Sequence, residues 1–172
     1  MNHRRQNPSS LEFDPSESDQ TTTLRSVELY TDGACSGNPG RGGWAYVLRD
    51  GATKQEREGS GGQAMTTNNQ MELMAVIEGL KALSRPCAVQ LYADSQYVLN
   101  GLKTWMADWK KNSWRRKSGS KWEPVKNVEF WQELDKLASL HRITFHHVKG
   151  HSGHPENERC DVLAVAAAEK FR

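Results

Sequence analysis

Four carboxylates occupy positions where the surrounding pattern calls for apolar side chains. Asp32 closes the strand-like run "VELYTD", and Asp94 closes "VQLYAD". If the two strands are adjacent and parallel, both carboxylates emerge at one sheet edge, where open α/β sheets bind ligands. Glu72 lies in the helical pattern "MELMAVIEGLKAL", on a stripe shared with Ala75, Val76, Gly79, Leu80 and Leu83. Asp161 shares a helical face with Ala164, Val165 and Ala168. Taken singly, each has an ordinary explanation. Asp32 suits a turn, Asp94 before Ser95 a helix entry, Glu72 the positive end of a helix dipole, and Asp161 a solvated surface. Taken together they need another, because burying several unpaired carboxylates is costly. A bound cation offsets that cost, and all-oxygen ligation selects Mg2+ or Mn2+ over zinc. The spacing of His151, His154 and Cys160 is chelate-like, but no fourth ligand lies at a suitable local spacing, which disfavours structural zinc.

Other residues suit a polymeric, anionic substrate. "GACSGNPGRGG" lacks the Gly-Lys-Ser/Thr ending of a phosphate loop, and the dinucleotide fingerprint is absent, so no nucleotide cofactor is expected. A glycine-rich turn can still admit a close backbone approach. "TTNNQ" sets hydroxyls and amides at a helix N-terminus, where exposed N–H groups favour phosphate and sugar. Thr67 alone would satisfy capping, leaving Asn68 and Asn69 to be explained. His151, flanked by Gly150 and Gly153, suits proton transfer to a leaving oxygen, since histidine titrates near neutral pH. The segment "LKTWMADWKKNSWRRKSGSKWEPVKNVEFW" interleaves tryptophans with Lys103, Lys110, Lys111, Arg115, Arg116, Lys117, Lys121 and Lys126. Cations with aromatics among them fit a nucleic-acid backbone. Trp105 and Trp109 are expected to pack as a core stripe, and Trp114 is less easily buried.

The elements that must position these residues can be read from period and punctuation. Residues 1–26 are polar, without sustained periodicity, and are expected to be a disordered extension. Strands are expected over Val27–Asp32, Gly43–Arg49 and Lys54–Ser60, with Asp50-Gly51 as a hairpin signal and "GSGGQAM" as a loop. Thr67 and Gln70 form a capping box for a helix running to about Leu83. A strand over Ala88–Asp94, a helix from Ser95, the helix "VEFWQELDKLASL", the strand "RITFHHV" and the helix "NERCDVLAVAAAEKF" complete the order. This is an α/β pattern in which an antiparallel meander joins parallel strands through helical crossovers.

With 172 residues, the chain can bury a core without disulfides. Its three cysteines, Cys35, Cys87 and Cys160, are scattered without a C-x-x-C pair, which fits a reducing compartment. No apolar run reaches membrane-span length, and no apolar stretch follows Arg4 and Arg5. A cytoplasmic monomer without membrane contact is expected. The formal net charge of +2 means that any nucleic-acid affinity comes from where charge sits.

"YTDGACSGNPGRGGWAYVL", "TTNNQMELMAVIEGL", "ADSQYV", "PVKNVEFW" and "VKGHSGHPENERCDVLA" together resemble bacterial ribonuclease H of type 1, in order from about Val27 to the C-terminus. The resemblance implies a five-stranded mixed sheet flanked by helices on both sides, with residues 27–172 as the catalytic domain. It implies hydrolysis of the RNA strand of RNA–DNA hybrids with two Mg2+ ions, or Mn2+ in their place, leaving 5′-phosphate and 3′-hydroxyl ends. By motif, Asp32, Glu72, Asp94 and Asp161 would hold metal, and His151 would assist proton transfer or product release. Cys35, Asn38, Asn68, Asn69 and Gln96 would contact sugars and bases, with Thr67 near a DNA phosphate. Lys110, Lys111, Trp114, Arg115, Arg116 and Lys117 fall in the family's basic protrusion, here about residues 103–127 and lengthened around "SGSKWE". Two rivals are a DNA-directed nuclease or resolvase on the same carboxylates and a catalytically silent binding module. Cleavage of DNA marks the first, and loss of a carboxylate the second.

Overall fold

A computed structural model describes residues 24–149 and 154–172. The expected disordered extension falls on residues that, up to 23, lie outside the described ones, as does His151. Five strands form one mixed sheet: β1 (Arg25–Ser36), β2 (Gly40–Asp50), β3 (Glu56–Thr66), β4 (Cys87–Ala93) and β7 (Arg142–His147), in the order β3-β2-β1-β4-β7. The first three are antiparallel, while β4 runs parallel to β1 and β7 parallel to β4. Helix α1 (Asn68–Lys81) crosses over from β3 to β4. From β4 the chain runs through α2 (Gln96–Asn100), a π-helical turn (Gly101–Trp105), α3 (Met106–Lys111) and a hairpin of β5 (Arg115–Ser118) and β6 (Lys121–Pro124). Helix α4 (Val128–Ala138) then leads into β7, and α5 (Pro155–Glu169) ends the fold.

Strand alternation divides the core between two faces. Val27, Leu29, Leu48, Val89 and Leu91 meet Leu73, Val76, Ile77 and Leu80 of α1, Val98 of α2 and Trp131 and Leu134 of α4. Tyr30, Ala45 and Val47 meet Cys160 and Ala164 of α5 on the other face. Each fully buried aliphatic side chain stabilises the fold by about 1.5–3 kcal/mol over its exposed form.

The strands begin and end differently from the sequence expectation. β1 starts at Arg25 rather than Val27 and continues past Asp32 to Ser36. "GACSGNPGRGG" is therefore two paired strands around a tight turn at 37–39, in which Gly37 takes φ +72°. β3 likewise runs on through "GSGGQAM", paired with β2 as far as Thr66 opposite Gly40. Glycine-rich strands carry little side-chain pattern, and here neighbouring strands supply the hydrogen bonds that hold them extended. The capping box is half formed. Thr67 Oγ1 accepts from the Gln70 N–H at 3.2 Å, while the Gln70 side chain turns to Thr66 and Asn127. The hairpin β5–β6 is exposed at every residue and stands off the core.

Candidate active site

Asp32 lies inside β1, opposite Ala45 of β2, instead of ending the strand. Its position still opens to a cleft, because the β1–β4 pairing reaches only to Tyr30 opposite Tyr92. Beyond that pair β1 follows β2, and β4 ends at Ala93 beside Asp94. This fork is also where the connections of the sheet reverse direction, the usual place for a ligand crevice in α/β folds.

Helix α1 brings Glu72 to the fork because Gly33 has no side chain. A Cβ there would lie 2.6 Å from the Glu72 backbone nitrogen and 2.7 Å from the Met71 carbonyl carbon. On the opposite face Gly43 does the same for α5, since a Cβ would meet Ala164 O at 2.0 Å.

Asp32, Glu72 and Asp94 can each present a carboxylate oxygen within 4.8 Å of the others. Asp32 is 3% exposed and Glu72 4%. Asp32 Oδ1 accepts from the Gly33 N–H at 2.9 Å, but Asp32 Oδ2 and Glu72 Oε2 are buried with no hydrogen-bond partner among the described residues. Burial first, and the Asp94 charge second, push the Asp32 carboxyl up to about 7. Burial, then the charges of Asp32 and Asp94, hold Glu72 well above the carboxylate range, and its contact with Asp32 leaves Glu72 as the better proton holder. Two orphaned oxygens in a cluster that resists ionisation fit a hard cation, which would supply what the protein withholds.

Asp161 stands outside this trio, although its charge adds to the rise at Asp32. It is half-buried at the margin of α5's buried stripe, which consists of Asn157, Cys160, Ala164, Ala167 and Ala168. Val165, expected on the Asp161 face, is 45% exposed.

Asn157 and His147 give no sequence signal, yet both brace the fork. Asn157 is 2% exposed and donates through Nδ2 to Tyr92 O at 3.2 Å and Thr31 O at 3.5 Å, bridging the strands where they part. Its place one turn before Asp161 ties α5 to the same point. His147 Nε2 lies 3.1 Å from Asp94 O, a hydrogen bond that places the proton on that nitrogen, and the Val148 N–H donates to Ala93 O. A spacing rule could not find these residues, because they act on backbone oxygens of distant strands.

The remaining expected residues fall in two groups. Asn38 Oδ1 accepts from the Asn68 N–H at 3.1 Å, joining the β1–β2 turn to the start of α1. Cys35 is half-buried beside them, its thiol directed at Gly37 O and Thr66 O. Asn69 is half-buried in the first turn of α1, and Gln96 is exposed at the start of α2, 3.4 Å from His147. These lie on the elements that carry the carboxylates or adjoin them: β1 and its turn, the first turn of α1, and the start of α2 after Asp94. Lys110, Lys111, Arg115, Arg116 and Lys117 are exposed on α3 and the hairpin, with Lys110 paired to Asp135. Trp114 is half-buried against the core at the hairpin's base, and Trp122 on β6 is the exposed ring, at 49%. Of the expected core stripe, Trp109 packs on Trp131 while Trp105 remains 37% exposed.

Comparison with known proteins supplies the context for this arrangement. A family model described as RNase H matches residues 24–169. A protein of Rhodopirellula baltica named ribonuclease H is 63% identical over 90% of this chain and 98% of its own length. One of Bartonella tribocorum with the same name is 59% identical over 85% and 91%. Among solved structures, LC9-RNase H1, a type 1 RNase H with the type 2 active-site motif, superposes with a TM-score of 0.76. It is 32% identical and aligns over 88% of this chain and 76% of its own. A match across nearly every described residue, on a sheet that opens over a carboxylate cluster, establishes that the chain belongs to the ribonuclease H family.

Proposed function

We propose that this protein hydrolyses the RNA strand of RNA–DNA hybrids at the β1–β4 fork, leaving 5′-phosphate and 3′-hydroxyl ends. The observation that carries the reading is the trio Asp32, Glu72 and Asp94 with two buried carboxylate oxygens that have no hydrogen-bond partner among the described residues. Asp32, Glu72 and Asp94 would hold divalent cations, Mg2+ or Mn2+ by the hardness of the oxygen donors, with Asp161 as a fourth carboxylate. Such ions supply a nucleophilic water at neutral pH and neutralise charge at the scissile phosphate and leaving oxygen.

The chain's own residues prepare that chemistry. Asp32 and Glu72 resist ionisation in the metal-free protein, so loading the site releases protons and is favoured by rising pH. His147 and Asn157 hold the backbones that carry Asp94 and Asp32, fixing the fork without touching the reacting atoms. Asn68, Asn69 and Gln96 border the cluster with amides that can both donate to and accept from a 2′-hydroxyl, the group that distinguishes RNA from DNA. Cys35, Asn38 and Thr67 line the approach for sugar and phosphate. The cations of the β5–β6 hairpin would take the DNA strand by its phosphates. His151 would carry the proton to the leaving oxygen, a role that rests on its sequence motif. No helix among the described residues is long and apolar enough to cross a membrane, and a cytoplasmic monomer is the state proposed.

The test is cleavage of end-labelled RNA presented single-stranded, paired with RNA and paired with DNA, alongside a DNA duplex. Each is incubated with Mg2+, with EDTA, and with Asp32→Asn protein. Metal-dependent cutting of the hybrid's RNA strand alone, lost in the variant, is the expected result. Cutting of the DNA duplex would reassign the protein to DNA-directed nucleases, and hybrid binding without cutting would leave a binding module.

A further inference from the structure

Helix α5 meets the sheet through small side chains. Its buried stripe is Asn157, Cys160, Ala164, Ala167 and Ala168, and it lies so close to β2 that a Cβ on Gly43 would meet Ala164 O at 2.0 Å. Short side chains form shallow ridges, which interlock weakly and give little resistance to rotation of a helix about its own axis. The Asn157 bonds to Tyr92 O and Thr31 O pin the first turn of α5 to β4 and β1. The roll of the helix about that pin needs a second constraint.

Arg49 of β2 supplies it. Its Nη2 lies 2.6 Å from Glu156 Oε1 in the first turn of α5, while Nη1 lies 3.4 Å from Glu28 Oε2 of β1. Nη2 is also 3.6 Å from Glu56 Oε2, where β3 begins. The guanidinium carbon stands 5.7 Å from the centre of the Tyr30 ring, and Tyr30 Oη donates to Glu28 Oε2 at 2.7 Å. The Arg49 and Glu156 side chains are 22% and 19% exposed, so solvent screens this pair less than an open surface bridge. One turn on, Arg159 Nη1 donates to the same Glu56 carboxylate at 2.9 Å. At about 100° per residue, Glu156 and Arg159 fall on one flank of the buried stripe and Asp161 on the other. A roll that draws Glu156 away from Arg49 therefore moves Asp161 relative to Asp32.

We propose that Arg49 is a positioning residue for the metal centre. By holding Glu156 it fixes the roll of α5, and so the distance between the Asp161 and Asp32 carboxylates, from the far side of the helix and without touching the reacting atoms. The inference rests on the reading above in which Asp161 is the fourth carboxylate of the centre.

The test is Mn2+ binding by the substrate-free protein, measured by isothermal titration calorimetry, beside steady-state cleavage of a hybrid. Arg49→Met keeps the apolar stem and deletes the charged fork. Glu156→Gln keeps the shape and deletes the charge, and it carries the test if Arg49→Met fails to fold. Each is made in wild type and in an Asp161→Asn background, as a double-mutant cycle. In wild type each variant is expected to weaken Mn2+ binding about fivefold and to lower kcat about tenfold with KM for the hybrid retained. In the Asp161→Asn background neither should weaken Mn2+ binding further. Unchanged Mn2+ affinity, or an equal loss in both backgrounds, would overturn the proposal. A wild type that binds Mn2+ but leaves the hybrid uncut would overturn the hybrid reading, and the calorimetric cycle would still decide the role of Arg49.

Discussion

Burial and the Asp94 charge push the Asp32 carboxyl of the metal-free fold up to about 7 from an ordinary value of 3.8. Between those two values the native state binds a proton that the unfolded chain has released. The Asp32 contribution to stability is therefore fully present below the unfolded value and is lost as pH rises through about 7. His141 works the other way. Its Nδ1 accepts from the Cys87 N–H at 3.0 Å, and burial holds its pKa below the usual histidine value, so its contribution improves as pH rises through 6.5. Comparing wild type with Asp32→Asn cancels His141 and leaves the contribution of Asp32 together with its effect on the Glu72 carboxyl. In EDTA at pH 8, Asp32→Asn is expected to melt about 3–6 °C higher than wild type, and the gain to shrink toward pH 4. Differential scanning calorimetry across that range decides it, and a lower melting temperature at pH 8 would refute mutual repulsion. The same residues show what a sequence can reveal at this scale. Asp32, Glu72 and Asp94 were legible because a carboxylate contradicts an apolar pattern. Asn157 contradicts nothing, and its partners, Thr31 O and Tyr92 O, are backbone atoms 126 and 65 positions away.

At the scale of elements, the site depends on how closely two helices approach the sheet from opposite faces. Gly33 sets the approach of α1, and Gly43 that of α5. Gly33→Ala would press a methyl against the backbone of Met71 and Glu72, which cannot move aside as a flexible side chain could. The helix must retreat, taking Glu72 from Asp32. A loss of about 2–3 kcal/mol in urea denaturation is expected, together with a fall in kcat larger than any change in KM. A variant as stable and active as wild type would show that α1 has room to spare. The central strands and long helices were legible from period, because both sheet faces bury residues such as Leu29 and Val47. The extensions of β1 and β3 were not, since "GSGG" and "SGNPGRGG" have too few side chains to show alternation. β5 and β6 were hidden for a different reason: with all residues exposed, they are held by cross-strand hydrogen bonds, and these leave no hydrophobic signature.

Across the whole molecule, a net charge of +2 conceals a separation of opposite fields. Acidic groups gather at the β1–β4 fork, while Arg115, Arg116, Lys117 and Lys121 stand on a hairpin that buries nothing. On the proposed reading a divalent cation and a polyanion would be drawn to different parts of one surface, and the phosphate-binding share of affinity would belong to the hairpin. Not every cation there is equally available. Lys110 pairs with Asp135 at 3.2 Å, and Arg115 donates to Trp122 O at 3.1 Å; of the hairpin cations that remain, Arg116 and Lys117, adjacent on β5, are the pair chosen for removal. Hybrid binding by the inactive Asp32→Asn protein, followed by fluorescence anisotropy between about 50 and 200 mM salt, gives a slope of log affinity against log salt. Adding Arg116→Ala and Lys117→Ala is expected to make that slope shallower by about 1 to 2 units, since each lost phosphate contact retains its own counterion. Because the hairpin lies apart from the carboxylates, the same two changes in the active enzyme should leave kcat at saturating hybrid near its wild-type value. Parallel lines of lower intercept would mean that the hairpin contributes shape rather than charge, and the salt dependence would then have to come from cations elsewhere on the surface.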